Sequence, residues 1–149
     1  MTFSELLQLL SAETRLDLNE AINSGGCTLC FDQQIEITFE HHDNHVYLFA
    51  TVMQIQGRLN DDLFACLLQI QLFGVATDRC WFGYDAGGQR IMLFSLLDLD
   101  RTAPDHAIAR IEALAGQVQY WQENLPGLGQ PATANISMPS DSFQRRRIT

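Results

Sequence analysis

The chain has 149 residues, 46% of them hydrophobic and 18% charged; this is the make-up of one globular domain and excludes a disordered chain, a fibre or a collagen-like repeat. Its 18 acidic residues stand against 9 basic ones, all arginine, for a formal net charge of −9, and a body this acidic repels phosphate backbones, which excludes nucleic acid as a partner class. No apolar run approaches the roughly 20 residues that cross a bilayer, and Met1 to Leu10 lack the basic flank and small-residue cleavage site of a secretory signal, so the expectation is a cytoplasmic protein with reduced thiols and no membrane partner.

Phe3, Leu6, Leu7 and Leu10 recur at i, i+3, i+4 and i+7, which predicts an amphipathic helix over Thr2 to Ala12, with Leu9 off the stripe. Asn23-Ser24-Gly25-Gly26 is a loop signal. Three strands are predicted next. Thr28 to Phe31 ends at the turn Asp32-Gln33-Gln34; Ile35 to Glu40 alternates apolar and polar strictly; His45 to Ile55 is rich in β-branched and aromatic residues after the turn His41-His42-Asp43-Asn44.

Asn60-Asp61-Asp62 offers a cap and first-turn acids for a helix running to about Phe73. That helix is apolar twice over: Leu63, Cys66, Leu67 and Ile70 form one face, and Phe64, Leu68 and Leu72 a second. Its own sheet covers one face; the other points to a subunit interface or to full burial. Cys80 to Tyr84 and Arg90 to Leu96 flank a Gly-Gly connection and read as a hairpin. In the last helix Thr102 is the candidate cap, Pro104 and Asp105 lie in the first turn, and the stripe is Ala107, Ile111, Leu114, Val118, Trp121 and Leu125, stopped by Pro126-Gly127. The reading is an α+β fold, α-β-β-β-α-β-β-α, an antiparallel twisted sheet with helices packed on it. One domain covers residues 1–126, and residues 127–149, with the run Arg145-Arg146-Arg147, are expected to form a flexible tail.

No catalytic constellation assembles. Phosphate-binding glycine loops and a G-x-S-x-G elbow are missing from the sequence, so the expectation is a protein that is not an enzyme and holds no cofactor. Cys27 and Cys30 form a C-x-x-C inside a predicted strand, where residues three apart point to opposite faces; both are expected to be buried small hydrophobes. His41, His42 and His45 form the richest polar cluster, but adjacent strand residues diverge, so no metal site is expected there. What remains is exposed apolar surface on an acidic body, the mark of a protein partner, together with sheet edges to which an extended peptide can add.

The element order, the segment CTLCFDQQIEITFE after a Gly-Gly loop, the helix NDDLFACLLQIQLFG, the hairpin CWFGYDAGGQRIMLFSLL and the closing IEALAGQVQYWQENLPG resemble class I type III secretion chaperones, the small acidic Tir-chaperone-like proteins of bacteria. The likeness spans roughly residues 3–126. It implies a bacterial, cytoplasmic, ATP-independent homodimer that holds the N-terminal chaperone-binding segment of a secreted effector in extended form until the secretion ATPase strips it off. Carried onto this chain, the resemblance makes Phe64, Leu68, Leu72, Trp81 and Phe82 the dimer interface. It makes Phe3, Leu6, Leu7, Leu10, Ile35, Ile37 and Phe39 the effector-binding set. Two other readings stay open from the sequence: a small-molecule or metal-binding α+β domain, and a regulator of the same fold that acts by partner capture.

Overall fold

The computed structural model describes residues 1–128; the expected tail beyond them, with Arg145 to Arg147, lies outside the described residues. The first helix, α1 (Phe3–Thr14), starts on a capping box: the Thr2 hydroxyl accepts from the Glu5 N–H at 3.1 Å, and the Glu5 carboxylate accepts from the Thr2 N–H at 2.7 Å. A short helix, α2 (Asn19–Ser24), follows. The sequence reading missed it because six residues carry too little periodicity to register. It ends at Gly25, whose φ of 77° is backbone that glycine adopts without strain.

Five strands build one antiparallel sheet: β1 (Gly26–Phe31), β2 (Ile35–His42), β3 (His45–Gln54), β4 (Trp81–Asp85) and β5 (Arg90–Asp98), in the spatial order β1-β2-β3-β5-β4. The α+β architecture and the antiparallel sheet are those the sequence predicts, with α2 added. Two helices complete it. Helix α3 (Asp61–Ile70) opens on Asn60, whose side chain accepts from the Asp62 and Leu63 N–H groups. It closes three residues earlier than predicted, because the chain turns through a 3-10 segment, Leu72–Gly74, with Phe73 at φ 63°. Helix α4 (Pro104–Leu128) packs across β3, β5 and β2. It starts one residue later than Thr102 would cap, since the Ala103 carbonyl accepts the Ala107 N–H. It also runs through Pro126 instead of stopping there: a proline in the last turn deletes one backbone bond, and the buried Leu125 holds that turn on the core.

The core lies between the helices and one face of the sheet. Every residue of the predicted α4 stripe is buried in it, and Trp121 donates its indole N–H to the buried Gln117 side chain at 2.9 Å. Arg110, also on α4, reaches to the turn before β4 and to Ser95 of β5.

Candidate protein-binding surfaces

An antiparallel sheet has two faces, and helices cover one of them here. The other is decided by alternation. On β2 the outward residues are polar: Glu36, Thr38 and Glu40. On β3 and β5 they are not. Tyr47 and Phe49 stand opposite Leu96 and Phe94 in register, and Phe94 in turn stands opposite Trp81 of β4. Directly opposed residues share a face, so a continuous row crosses the sheet from Thr28 through Thr38, Phe49 and Phe94 to Trp81. The Trp81 and Phe94 rings meet at 5.7 Å. Tyr47, Trp81, Phe94 and Leu96 are 37–43% exposed, far more than a core would leave them. A shallow groove of about 600 Å³ lies on this face, lined among others by Glu40, Tyr47, Phe49, Met92 and Phe94.

Charge rims this apolar floor. The Arg90 guanidinium donates to Asp85 at 2.9 Å and to the Thr51 hydroxyl at 3.2 Å. The bond to Asp85, helped by the Gly88 N–H, holds the Asp85 carboxyl below the usual carboxylate range. Glu36 and Glu40 stand exposed on β2.

A second apolar surface sits at the β4 end of the sheet. Helix α3 turns Leu63, Leu67 and Ile70 inward and leaves Leu68 outside, 66% exposed, and Leu72, at the start of the 3-10 segment, is 57% exposed. Phe73 and Val75 follow them, at 89% and 75%. The Gln71 side chain accepts the Phe82 N–H at 2.9 Å, which satisfies an outward-pointing donor of the edge strand β4.

The residues expected to form a dimer interface divide in three ways. Leu68 and Leu72 are on the surface. Phe64 is half-buried and meets Tyr84 edge-on at 5.3 Å. Trp81 and Phe82, adjacent on β4, face opposite sides: Trp81 looks out with Phe94, while Phe82 packs on Trp121 at 5.5 Å. The seven residues expected to bind an effector are placed differently. Phe3, Leu6, Leu7, Leu10, Ile35, Ile37 and Phe39 are each 4% exposed or less. The apolar sides of α1 and β2 belong to one core.

The polar clusters hold themselves. His41 stacks on Phe3 at 4.6 Å, His42 lies 3.7 Å from Glu40, and His45 lies 4.0 Å from Asp98. His41 and His42 end β2 and His45 begins β3; they are not a loop. Among the described residues no three His, Cys, Asp or Glu side chains gather as metal ligands do. Cys27 is half-buried and Cys30 exposed, so the pair are not the buried hydrophobes expected; the strand's alternation separates them. Burial raises the Cys27 thiol and pushes the Cys80 thiol up to about 11.

Sequence reasoning missed Tyr47, Phe49, Met92, Phe94 and Leu96 as surface residues. A signal was present: the run from Ile91 to Leu97 lacks polar alternation, with Met92, Phe94 and Leu96 interleaved among Ile91, Leu93 and Leu97. A strand apolar on both faces needs a second layer. The described residues supply only one.

Proteins of known family and structure share this architecture. The model of the Tir chaperone protein (CesT) family matches residues 5–122. No curated protein sequence matches the chain. Among solved structures, a chain of the ExsC–ExsE complex is 22% identical with a TM-score of 0.63, over 84% of this chain and 97% of that one. A chain of the heterodimeric ExoU–SpcU complex from the type III secretion system of Pseudomonas aeruginosa is 16% identical with a TM-score of 0.64, over 83% and 98%. A chain of the HopA1–SchA chaperone–effector complex is 13% identical with a TM-score of 0.63, over 81% and 93%. At these identities the likeness is one of fold.

Proposed function

Because the chain belongs to the Tir chaperone protein (CesT) family, we propose that it is an effector-binding type III secretion chaperone, and that its open sheet face is where the effector segment docks. The observation that carries the docking site is the row Phe49, Phe94 and Trp81, an apolar floor that no element among the described residues covers. An unfolded client segment spends ordering entropy on binding, offset by burying its apolar side chains on such a floor. The fold neighbours from the ExoU–SpcU and HopA1–SchA complexes, each solved with a partner chain, support this reading. The acidic surface, with Glu36 and Glu40 beside the floor, favours a client with basic flanks.

The outer face of α3 and the turn after it fit a homodimer: Leu68 and Leu72 of one copy bury against those of another, joined by Phe64 at the margin. The protein works in the bacterial cytoplasm, carries out no catalysis, and hands its client to the secretion ATPase.

The test is direct. Co-purification from the native cell with mass spectrometry identifies the secreted client, and its purified N-terminal segment is then titrated onto wild type and Phe94→Asp. A charge in the middle of the floor weakens binding at least about tenfold, the scale of a central interface residue, with the thermal midpoint nearly unchanged. Equal affinity in the two proteins would remove the sheet face as the client site, and recovery of no secreted protein would remove the chaperone reading.

A further inference from the structure

The turn between α3 and β4 is built against its own backbone preferences. Within seven residues Phe73, Gly74, Asp78 and Arg79 hold φ values of 63°, 68°, 48° and 62°. Three of the four carry a Cβ, and such backbone persists only where the surroundings over-determine it. Some of the restraint is internal. The Arg79 N–H donates to the Gly74 carbonyl at 2.8 Å, the Cys80 N–H to the Thr77 carbonyl at 3.0 Å, and the Thr77 hydroxyl to the Cys80 carbonyl at 2.7 Å.

The rest comes from across the molecule. Arg110 of α4, its side chain 24% exposed, donates through Nη1 to the Asp78 carbonyl at 2.8 Å. Through Nη2 it donates to the Arg79 carbonyl at 3.3 Å and to the Ser95 hydroxyl at 2.9 Å. The two carbonyls belong to two of the four left-handed residues, Asp78 and Arg79. A guanidinium presents its donors in a planar fork and can hold these three acceptors at once; an ammonium, a point charge on a flexible stem, cannot reproduce that arrangement. The same group thereby ties the turn to β5 through a hydroxyl that is itself buried.

What the turn presents is the most exposed apolar pair of the described residues, Phe73 and Val75, next in the chain to the exposed Leu72 and to Leu68 of α3. A free turn would let these side chains sample many positions; a clamped one sets them before association, so that less ordering remains to be done on binding. We propose that Arg110 is a positioning residue for self-association: by fixing the α3–β4 turn it adds Phe73 and Val75 to the surface that meets a second copy of this chain. The inference rests on the dimer proposed through α3 and deepens it.

A double-mutant cycle in the full-length chain tests it, with dimer dissociation constants from sedimentation equilibrium for wild type, Arg110→Ala, the pair Phe73→Ala with Val75→Ala, and all three changes together. Arg110→Ala weakens the dimer about tenfold in the wild-type background and less than about twofold when Phe73 and Val75 are already truncated, because a group acting through those side chains has nothing left to position. Hydrogen exchange at the Arg79 and Cys80 amides speeds up in Arg110→Ala while the amides of β3 and β5 keep their protection, which separates loss of the clamp from loss of the fold. Arg110→Lys, which keeps the charge and the packing of the stem, falls between the two. An unchanged constant, or the same weakening in both backgrounds, overturns the positioning role. A wild-type chain that sediments as a monomer at tens of micromolar overturns the dimer itself, and this inference with it.

Discussion

Helices α1 and α3 look alike on paper. They have 12 and 10 residues, each starts on a side-chain cap, and each carries more apolar surface than a single narrow contact uses. Their fates differ. In α1 the stripe Phe3, Leu6, Leu7 and Leu10 is sealed, and of its large apolar residues only Leu9 is exposed, at 36%. In α3 the inner face of Leu63, Leu67 and Ile70 is sealed, while Leu68 stays out, as does Leu72 just beyond the helix. The cause is position. Helix α1 packs against α2 and α4 within the common core, whereas α3 lies at the β4 end of the sheet, where the described residues provide a neighbour on one side. The width of an apolar stripe therefore tells how much a helix wants to bury, and the fold decides whether the chain itself can satisfy it.

The largest expected effect breaks α1. Leu7→Ala empties a fully buried site and costs about 2–5 kcal/mol of stability in urea denaturation, whereas Leu68→Ala, at low protein concentration where a dimer contributes nothing, stays within about 0.5 kcal/mol of wild type. Equal losses in the two variants would erase the distinction between the helices. The next effect is confined to α3. Leu68→Asp leaves the monomer folded and weakens the dimer at least about thirtyfold, since a carboxylate would be stranded in an apolar contact; light scattering then reads a monomer mass where wild type reads a dimer. A Leu68→Asp protein that keeps the dimer mass would move the interface elsewhere.

The smallest effect sharpens the start of α1. Thr2→Ala removes the cap and costs about 1 kcal/mol. The Glu5 carboxyl is held below its ordinary range first by the Thr2 N–H and then by the Thr2 hydroxyl. A depressed carboxylate contributes stability above its unfolded pKa, near the model-compound value of 4.5, and that contribution is lost as the pH falls through the lower folded value. The difference in thermal midpoint between wild type and Glu5→Gln, which keeps the Thr2 N–H but removes the carboxylate, therefore narrows as the pH drops below about 4.5. A constant gap down to strongly acidic pH would show that the carboxylate takes no part in the cap.

Much of this was legible before any coordinates. The strict alternation of Ile35 to Glu40 announces a half-buried strand, and Ile35, Ile37 and Phe39 are indeed its inward set. The stripe from Ala107 to Leu125 names the buried side of α4 residue by residue. The candidate sites were less legible, for a reason visible in β5: Ile91 to Leu97 is apolar at every position except Ser95, so its pattern cannot say which residues face the helices. Ser95, the polar one, is on the buried side, where Arg110 meets its hydroxyl. The exposure of Phe73 and Val75 depends on left-handed backbone in a turn that carries no sequence period.

Local chemistry alone determined most of the elements and the acidic character, because caps, stripes and alternation act over a few residues at a time. Only the tertiary structure decided which apolar residues remain on the outside, among them the row Phe49, Phe94 and Trp81 on the far face of the sheet. Burial belongs to pairs of surfaces brought together from distant parts of the chain, and a one-dimensional pattern records each surface without its partner.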